Sequence, residues 1–411
     1  MDTFDFGRDT VRLLEWLGKF GKDPEGGVSR FLYRKEWTEA QKALAGYMRQ
    51  RDFIVKYDEV GNLFGRLEGS EHPEETIMTG SHVDTVKNGG LYDGQFGIIA
   101  GILAIQYLKK KYGQPRRSLE VVSMAEEEGS RFPYVFWGSK NILGIAKRED
   151  VENITDFDGI SFVEAMSKAG FSFRPEGQPV RQDIKAFIET HVEQGGVLER
   201  EQKSVGIVEN IVGQRRFTIE IDGEANHAGT TPMGYRHDAF YAASRIACRI
   251  IESAKQHGDP LVATIGKIEL TPNTVNVVPG KALFTLDIRH TQKQALQDFT
   301  EEIMTIMSEI GKEIGVKIKS DMWMDADPVP MDPGVVQVLE RQCRKQGLSY
   351  RMMHSGAGHD SQILAQAFPT AMLFVPSHNG ISHSPLEYTE PMDIGEGVRA
   401  LAGALYELAY M

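Results

Sequence analysis

The sequence predicts an α/β protein in which a smaller α+β domain is inserted into a discontinuous larger one. Three observations point there. The chain has 411 residues, beyond the size at which a single core stops growing. Strand and helix patterns alternate over the first half and again near the C-terminus. Between them, from about Val212, the order becomes strand, helix, strand, strand, helix, strand, that of a ferredoxin-like unit.

Trp37, Ala40, Leu44, Tyr47 and Met48 recur at helical spacing, and Phe53–Tyr57 and Asn62–Leu67 read as strands around a Val-Gly turn. Thr76–Gly80 is a short strand, Gln95–Lys111 a long helix and Leu119–Met124 a second apolar strand. Such alternation puts chemistry at strand ends. In the insert, Arg216–Asp222 alternates as a half-buried strand and a helix follows over about Asp238–Lys255. Strands at Val262–Leu270 and Ala282–Arg289, a helix over about Gln294–Ile314 and a strand near Val316–Met322 complete it. Asp325–Gly334 is rich in proline and reads as the return linker. Thr370–Val375 is then a buried strand and Gly395–Ala409 a closing helix. The expected boundaries are 1–211 with 327–411 for the larger domain and 212–326 for the insert.

Lys plus Arg number 46 against 58 Asp plus Glu, a net charge of −12. That balance argues against a nucleic-acid partner. It leaves room for a small anionic substrate, because a few arginines and metal ions can dominate a pocket. Cys248 and Cys343 are not spaced for metal or redox work, which suits a reducing compartment. Met1-Asp2-Thr3-Phe4-Asp5-Phe6 carries acids where a signal peptide carries lysines and an apolar run. No stretch approaches the roughly 18 apolar residues of a membrane span. A cytoplasmic protein without a membrane partner is expected.

Five places put hard-metal ligands where a strand gives way to a loop. They are Ser81-His82-Val83-Asp84, Tyr92-Asp93-Gly94-Gln95, Ala125-Glu126-Glu127-Glu128-Gly129, Glu189-Thr190-His191-Val192-Glu193-Gln194 and Ser382-His383-Ser384-Pro385. Imidazole with carboxylate suits zinc or manganese, and no thiolate competes. Each place alone has a plainer reading. A strand-end histidine is more often a hydrogen-bonded loop residue, Asp-Gly is usually a turn, and a run of glutamates is usually a solvated face. Jointly they read differently, because the glutamates directly follow an apolar strand and run into Gly-Ser-Arg-Phe instead of further charge. Neighbours on a strand point opposite ways, so spacing leaves open which glutamate of the three is a ligand and which a base.

His82-Val-Asp84-Thr-Val, Asp93-Gly, Glu127-Glu128 and the late His383 resemble the motifs of the metallopeptidase M20 superfamily. The resemblance implies a di-metal hydrolase domain and two divalent cations per subunit, Mn2+ or Zn2+. One would be held by His82, Asp93 and His191, the other by Asp93, Glu128 and His383, with Asp93 bridging. Asp84 would orient His82. Glu127 would be the base that deprotonates a water bridging the two metals and later protonates the leaving nitrogen. The family's habit also implies a cis peptide at Asp93–Gly94.

Peptidases of the superfamily usually place a carboxylate where this chain has His191. That departure, with Asn226–Met233, Pro272–Gly280, Asp287-Ile-Arg289 and His354–Asp360, resembles the ureido-hydrolysing branch of N-carbamoyl amino acid hydrolases and β-ureidopropionase. The stretch Ala125–Asn141 and the surroundings of Leu32-Tyr33 are most similar to members acting on allantoate. The implied reaction is hydrolysis of one ureido group of allantoate to ureidoglycine, ammonia and carbon dioxide. A ureido carbonyl is a poor electrophile and needs a metal and an oxyanion donor, a role the family assigns to His227. The carboxylate would be taken by Arg289, with Asn276, Gln194 and Arg216 as further substrate contacts. Gly358, and Gly356 near it, could bring backbone amides close. The branch further implies that the insert is a lid closing over the substrate and a homodimerisation surface, from which His227 and Asn276 could serve the neighbouring subunit. An N-carbamoyl-L-amino acid hydrolase is the nearest alternative. A non-catalytic binding protein for an acidic ligand would keep the arginines but have no use for Glu127.

Overall fold

The computed structural model describes residues 4–411, so Met1–Thr3 of the acidic N-terminal stretch lie outside the described residues. The chain divides into two compact units, one ending at Glu209 and resuming at Met331–Met411, the other Asn210–Pro330. Val329 and Pro330 pair with Ile211 and Asn210, so the two ends of the inserted unit lie side by side. The breaks fall after 209 and 330, two residues before and four residues after the positions 211 and 326 expected from sequence patterning.

The larger unit is built on a mixed sheet. Its centre is four parallel strands in the spatial order Arg117–Met124, His72–His82, Ile184–Val192, Thr370–Val375. Leu63–Leu67 and then Ile54–Tyr57 extend it antiparallel on one side. On the other side Val205–Ile211 pairs antiparallel with Thr370–Val375. The parallel strands are buried almost throughout, which is why they read as continuous apolar runs without alternation. His72–His82 is longer than the apolar signal suggested, because its first residues are exposed and polar yet still reach the pairing with Arg117.

The helix Gln95–Tyr112 lies against this sheet, burying Phe96, Ile98, Ile99, Ile102 and Leu103. Gly97 permits the approach: a Cβ there would come within 2.3 Å of the Thr190 carbonyl oxygen and 2.8 Å of the Ser81 Cβ. The first helix, Phe6–Leu17, starts at Asp5, whose carboxylate accepts from the Arg8 N–H. The last, Pro391–Tyr410, starts four residues earlier than its apolar pattern indicated, with Pro391 in the first turn, where its missing N–H costs nothing.

The inserted unit has the strand order Lys317–Ala326, Gly213–Asp222, Lys281–His290, Val262–Thr271, all antiparallel. Helices Ala239–His257 and Lys293–Ile314 share one apolar core with Phe217, Ile219, Ile221, Phe284, Leu286 and Ile288. With period-two alternation, Gln214, Arg216, Asp287 and Arg289 take the opposite face of the sheet. The proline-rich segment is more than a linker: Asp325 and Ala326 finish a strand, Val329–Pro330 form another, and Asp332 caps the helix Pro333–Gln346. Among the described residues no helix is long and apolar enough to cross a membrane.

Candidate metal centre

The four parallel strands all run the same way, and each delivers chemistry at or just beyond its C-terminal end. His82 ends one strand, Glu126–Glu128 follow Met124, His191 is next to last in its strand, and the loop after Val375 carries His383. In open α/β sheets this end is where ligands bind. Asp93 joins them from the turn that starts the long helix, where Gly94 has φ 64°.

Asp93 is the hub. Its Oδ1 lies 3.5 Å from His82 Nε2 and 3.1 Å from His191 Nε2, while its Oδ2 lies 3.1 Å from His383 Nε2. His383 Nε2 is in turn 3.6 Å from Glu128 Oε1. Ligand atoms of His82, Asp93 and His191 fall within 4.8 Å of one another, as do those of Asp93, Glu128 and His383. A third such group is His82 with Glu127 and Glu128, so Glu127 also faces the centre.

The surroundings fit cations. The ring nitrogens that face away are engaged: His191 Nδ1 lies 2.9 Å from the Val192 carbonyl oxygen, and His82 Nδ1 3.1 Å from the Asp84 carbonyl oxygen. The Gly94 N–H lies 3.1 Å from His191 Nε2, on the side where that nitrogen faces Asp93. Glu128 Oε1 is buried with no hydrogen-bond partner among the described residues, an expensive state for a carboxylate unless a cation neutralises it. Burial pushes the Glu127 carboxyl well above the usual range, opposed by His82 and reinforced by Glu128 and Asp360. Burial likewise carries Glu128 up to about 7, with Asp93 adding to it. Burial acts to raise Asp93 too, but hydrogen bonding to His191, His383 and His82 outweighs it and holds that carboxyl well below the usual range.

Three carboxylates around three imidazoles, with no thiolate among them, form a donor set that suits divalent cations. The known proteins agree. The model of Peptidase family M20/M25/M40 matches residues 78–407. The chain belongs to this family. It is 55% identical over 397 residues to the allantoate amidohydrolase of Escherichia coli (strain K12), covering 97% of each chain. It is 44% identical over 397 residues to the allantoate amidohydrolase of Bacillus subtilis (strain 168), covering 97% of this chain and 96% of that one. A crystal structure of an amidase of the hydantoinase/carbamoylase family from Burkholderia multivorans superposes with TM-score 0.93 at 32% identity, covering 98% of each chain.

As an M20 family member the chain shows one departure from what the resemblance implied. Among the described residues the cis peptides are Asp259–Pro260 and Thr271–Pro272, and Asp93–Gly94 is trans. The turn is made instead by the positive φ of Gly94, where a Cβ would meet the His82 ring at 2.4 Å.

Asp84 does more than face His82 Nδ1 at 3.3 Å. Its two carboxylate oxygens accept from the backbone N–H groups of Glu127 and Glu128 at 3.1 and 3.2 Å, tying the glutamate run to the His82 loop. Gln194, at φ 56°, donates its amide to Asp93 Oδ2 and to Ser382 Oγ. The loop holding Gly358 reaches the centre through His359, whose ring stacks edge-on to His191 at 4.6 Å between centroids. Sequence reasoning missed Glu387. Its carboxylate accepts from the N–H groups of Tyr92 and Asp93 and from Ser382 Oγ, joining the turn of Asp93 to the loop of His383. No local signal marks it.

In the inserted unit, His227 and Asn276 are neighbours: Val277 pairs with His227, and the Asn276 carbonyl accepts from the Ala228 N–H. Arg289 and Arg216 form a second pair. Asp287 accepts from Arg289 Nε and Nη2, both at 3.0 Å, and from Arg216 Nε at 2.9 Å. The two pairs are not together. Arg289 pairs with Gln214 at one end of the strand Gly213–Asp222, whereas His227 lies beyond its other end. The strand alone spans roughly 30 Å.

Proposed function

We propose that this chain is a metal-dependent amidohydrolase that hydrolyses one ureido group of allantoate, yielding ureidoglycine, ammonia and carbon dioxide. The observation that carries the reading is the divided Asp93 carboxylate, one oxygen facing His82 and His191 and the other facing His383 beside Glu128. The similarity to two allantoate amidohydrolases supports the substrate.

His82, Asp93 and His191 would hold one divalent cation and Asp93, Glu128 and His383 a second, zinc or manganese. Such cations supply Lewis acidity toward the ureido carbonyl and acidify water. Glu127 takes the proton of the attacking water and returns it to the leaving nitrogen. Its backbone N–H on Asp84 keeps its position tied to that of His82. His227 donates to the developing oxyanion. Arg289, pre-oriented by Asp287, takes the substrate carboxylate as a fork. Gln194, Asn276 and Arg216 provide polar partners for the second ureido group, and Gly358 leaves room for close approach of its backbone.

The separation of His227 and Asn276 from Arg289 far exceeds a small ureido acid. It supports a homodimer assembled through the inserted unit, in which a substrate gripped by Arg289 of one copy receives His227 and Asn276 from the other. The binding-protein reading has no use for a buried Glu128 oxygen without a hydrogen bond or for Glu127. The substrate is tested by kcat/KM on allantoate and on N-carbamoyl-L-methionine with the purified, metal-loaded enzyme. Allantoate should be preferred; higher kcat/KM on the carbamoyl amino acid would move the chain to the carbamoylases.

A further inference from the structure

Arg30 is fully buried, and no carboxylate lies within ion-pair distance of it among the described residues. Its side chain instead meets oxygens from three separate segments. Nε donates to the Phe20 carbonyl and Nη2 to the Leu17 carbonyl, at the end of the first helix. Nη1 donates to the Val83 carbonyl at 3.0 Å and to Gln95 Oε1 at 2.8 Å. Its backbone N–H donates to Thr85 Oγ1, and its carbonyl accepts from the Thr85 N–H. A guanidinium buried with neutral acceptors alone is costly. Burial lowers its pKa to about 9, the Asp84 charge acting the other way, so it remains a cation at neutral pH.

The placement of its partners is what matters. Val83 stands between His82 and Asp84, so its carbonyl sets the peptide from which Asp84 turns toward His82 Nδ1. Gln95 follows Asp93-Gly94, and its own amide donates back to the Gly90 carbonyl, bracing the turn that carries Asp93. A single nitrogen, Nη1, therefore joins the segment carrying His82 to the segment carrying Asp93, whose facing atoms are 3.5 Å apart. The segment that delivers Arg30 precedes residues 78–407, over which the family model matches.

We infer that Arg30 is a positioning residue of the metal centre, which holds the His82–Asp84 loop and the Asp93 turn at the spacing that a cation between them requires. The inference rests on the metal-centre reading above. Arg30 touches no candidate ligand and acts only through Val83, Thr85 and Gln95.

The test is Co2+ binding to the full chain by chelator competition, with the visible Co2+ absorption band as a report on ligand geometry. The variants are Arg30→Met, Arg30→Lys and Gln95→Leu, each checked for fold by circular dichroism. Removing a group that hydrogen-bonds a ligand typically weakens metal affinity about 10- to 100-fold; Arg30 acts one step further back, so a loss of about 10-fold is expected. Arg30→Met should show it for one of two bound ions and shift the band. Arg30→Lys should recover part of the loss by restoring the cation and a single donor. Gln95→Leu, which unties the turn without removing the charge, should weaken affinity in the same direction but less. Folded variants with wild-type affinity and an unchanged band would overturn the inference and leave Arg30 a purely structural residue. Should Arg30→Met fail to fold, Gln95→Leu decides, and unchanged affinity there overturns it equally. A wild-type chain that binds no Co2+ would instead overturn the metal-centre reading itself.

Discussion

Replacing Asp84 with asparagine changes one atom and isolates what that side chain does. Oδ1 accepts the Glu127 N–H at 3.1 Å and lies 3.3 Å from His82 Nδ1, while Oδ2 accepts the Glu128 N–H at 3.2 Å. An amide cannot reproduce this. Whichever way it is turned, its NH2 meets a backbone N–H, donor against donor. One buried donor is left unsatisfied, worth about 1–3 kcal/mol, and the structure relieves it by moving the Glu127–Glu128 run or the His82 ring. Either movement disturbs ligands. If that penalty falls on the metal-bound state, the apparent dissociation constant for metal rises roughly 10- to 100-fold, since 1.4 kcal/mol is a factor of about ten. The assay is chelator competition on the purified variant, followed by kcat at saturating metal. Affinity should fall, and kcat should stay below wild type even when both ions are replaced, because Glu127 has shifted with its backbone. Wild-type metal affinity in Asp84→Asn would refute the coupling of the two loops through this carboxylate.

Glu127→Gln should lower kcat by about 10²- to 10⁴-fold, the usual worth of a general base, while metal content per subunit stays at wild type. Glu128→Gln should instead lose metal, and equal metal loss in the two variants would reverse the roles within the glutamate run. Arg289→Ala should raise KM for allantoate with little change in metal content, since loss of a carboxylate fork costs roughly 2–5 kcal/mol of binding; a change confined to kcat would place Arg289 elsewhere in the mechanism. Exhaustive chelation should abolish activity and re-addition of Mn2+ or Zn2+ restore it, whereas full activity in protein shown to be metal-free would end the metal-dependent reading.

Much of this was legible in the sequence because it is local. The buried strands, the long helix after Asp93 and the strand-helix-strand-strand-helix-strand order of the insert follow from apolar periodicity alone. Most of the candidate ligands stood out because they sit at or just past a strand end, in a context that apolar patterning cannot explain: His82 at the end of an apolar strand, Glu127 and Glu128 after Met124, His191 before Val192. Exposed polar stretches such as His72–Glu75 carried no such pattern, so the strand they begin was read too short. The need for glycine at position 94 was likewise not legible, since it is set by where the His82 ring stands against it. What the tertiary structure alone decided is which atoms share Asp93, and what holds them there. Arg30 reaches Val83 and Gln95 across separations of 53 and 65 residues, and Glu387 reaches Asp93 across 294. No window of sequence contains both ends of such a contact. A buried charge satisfied by distant carbonyls leaves no local periodicity, because its partners are chosen by how the strands stack and not by what stands next to it in the chain.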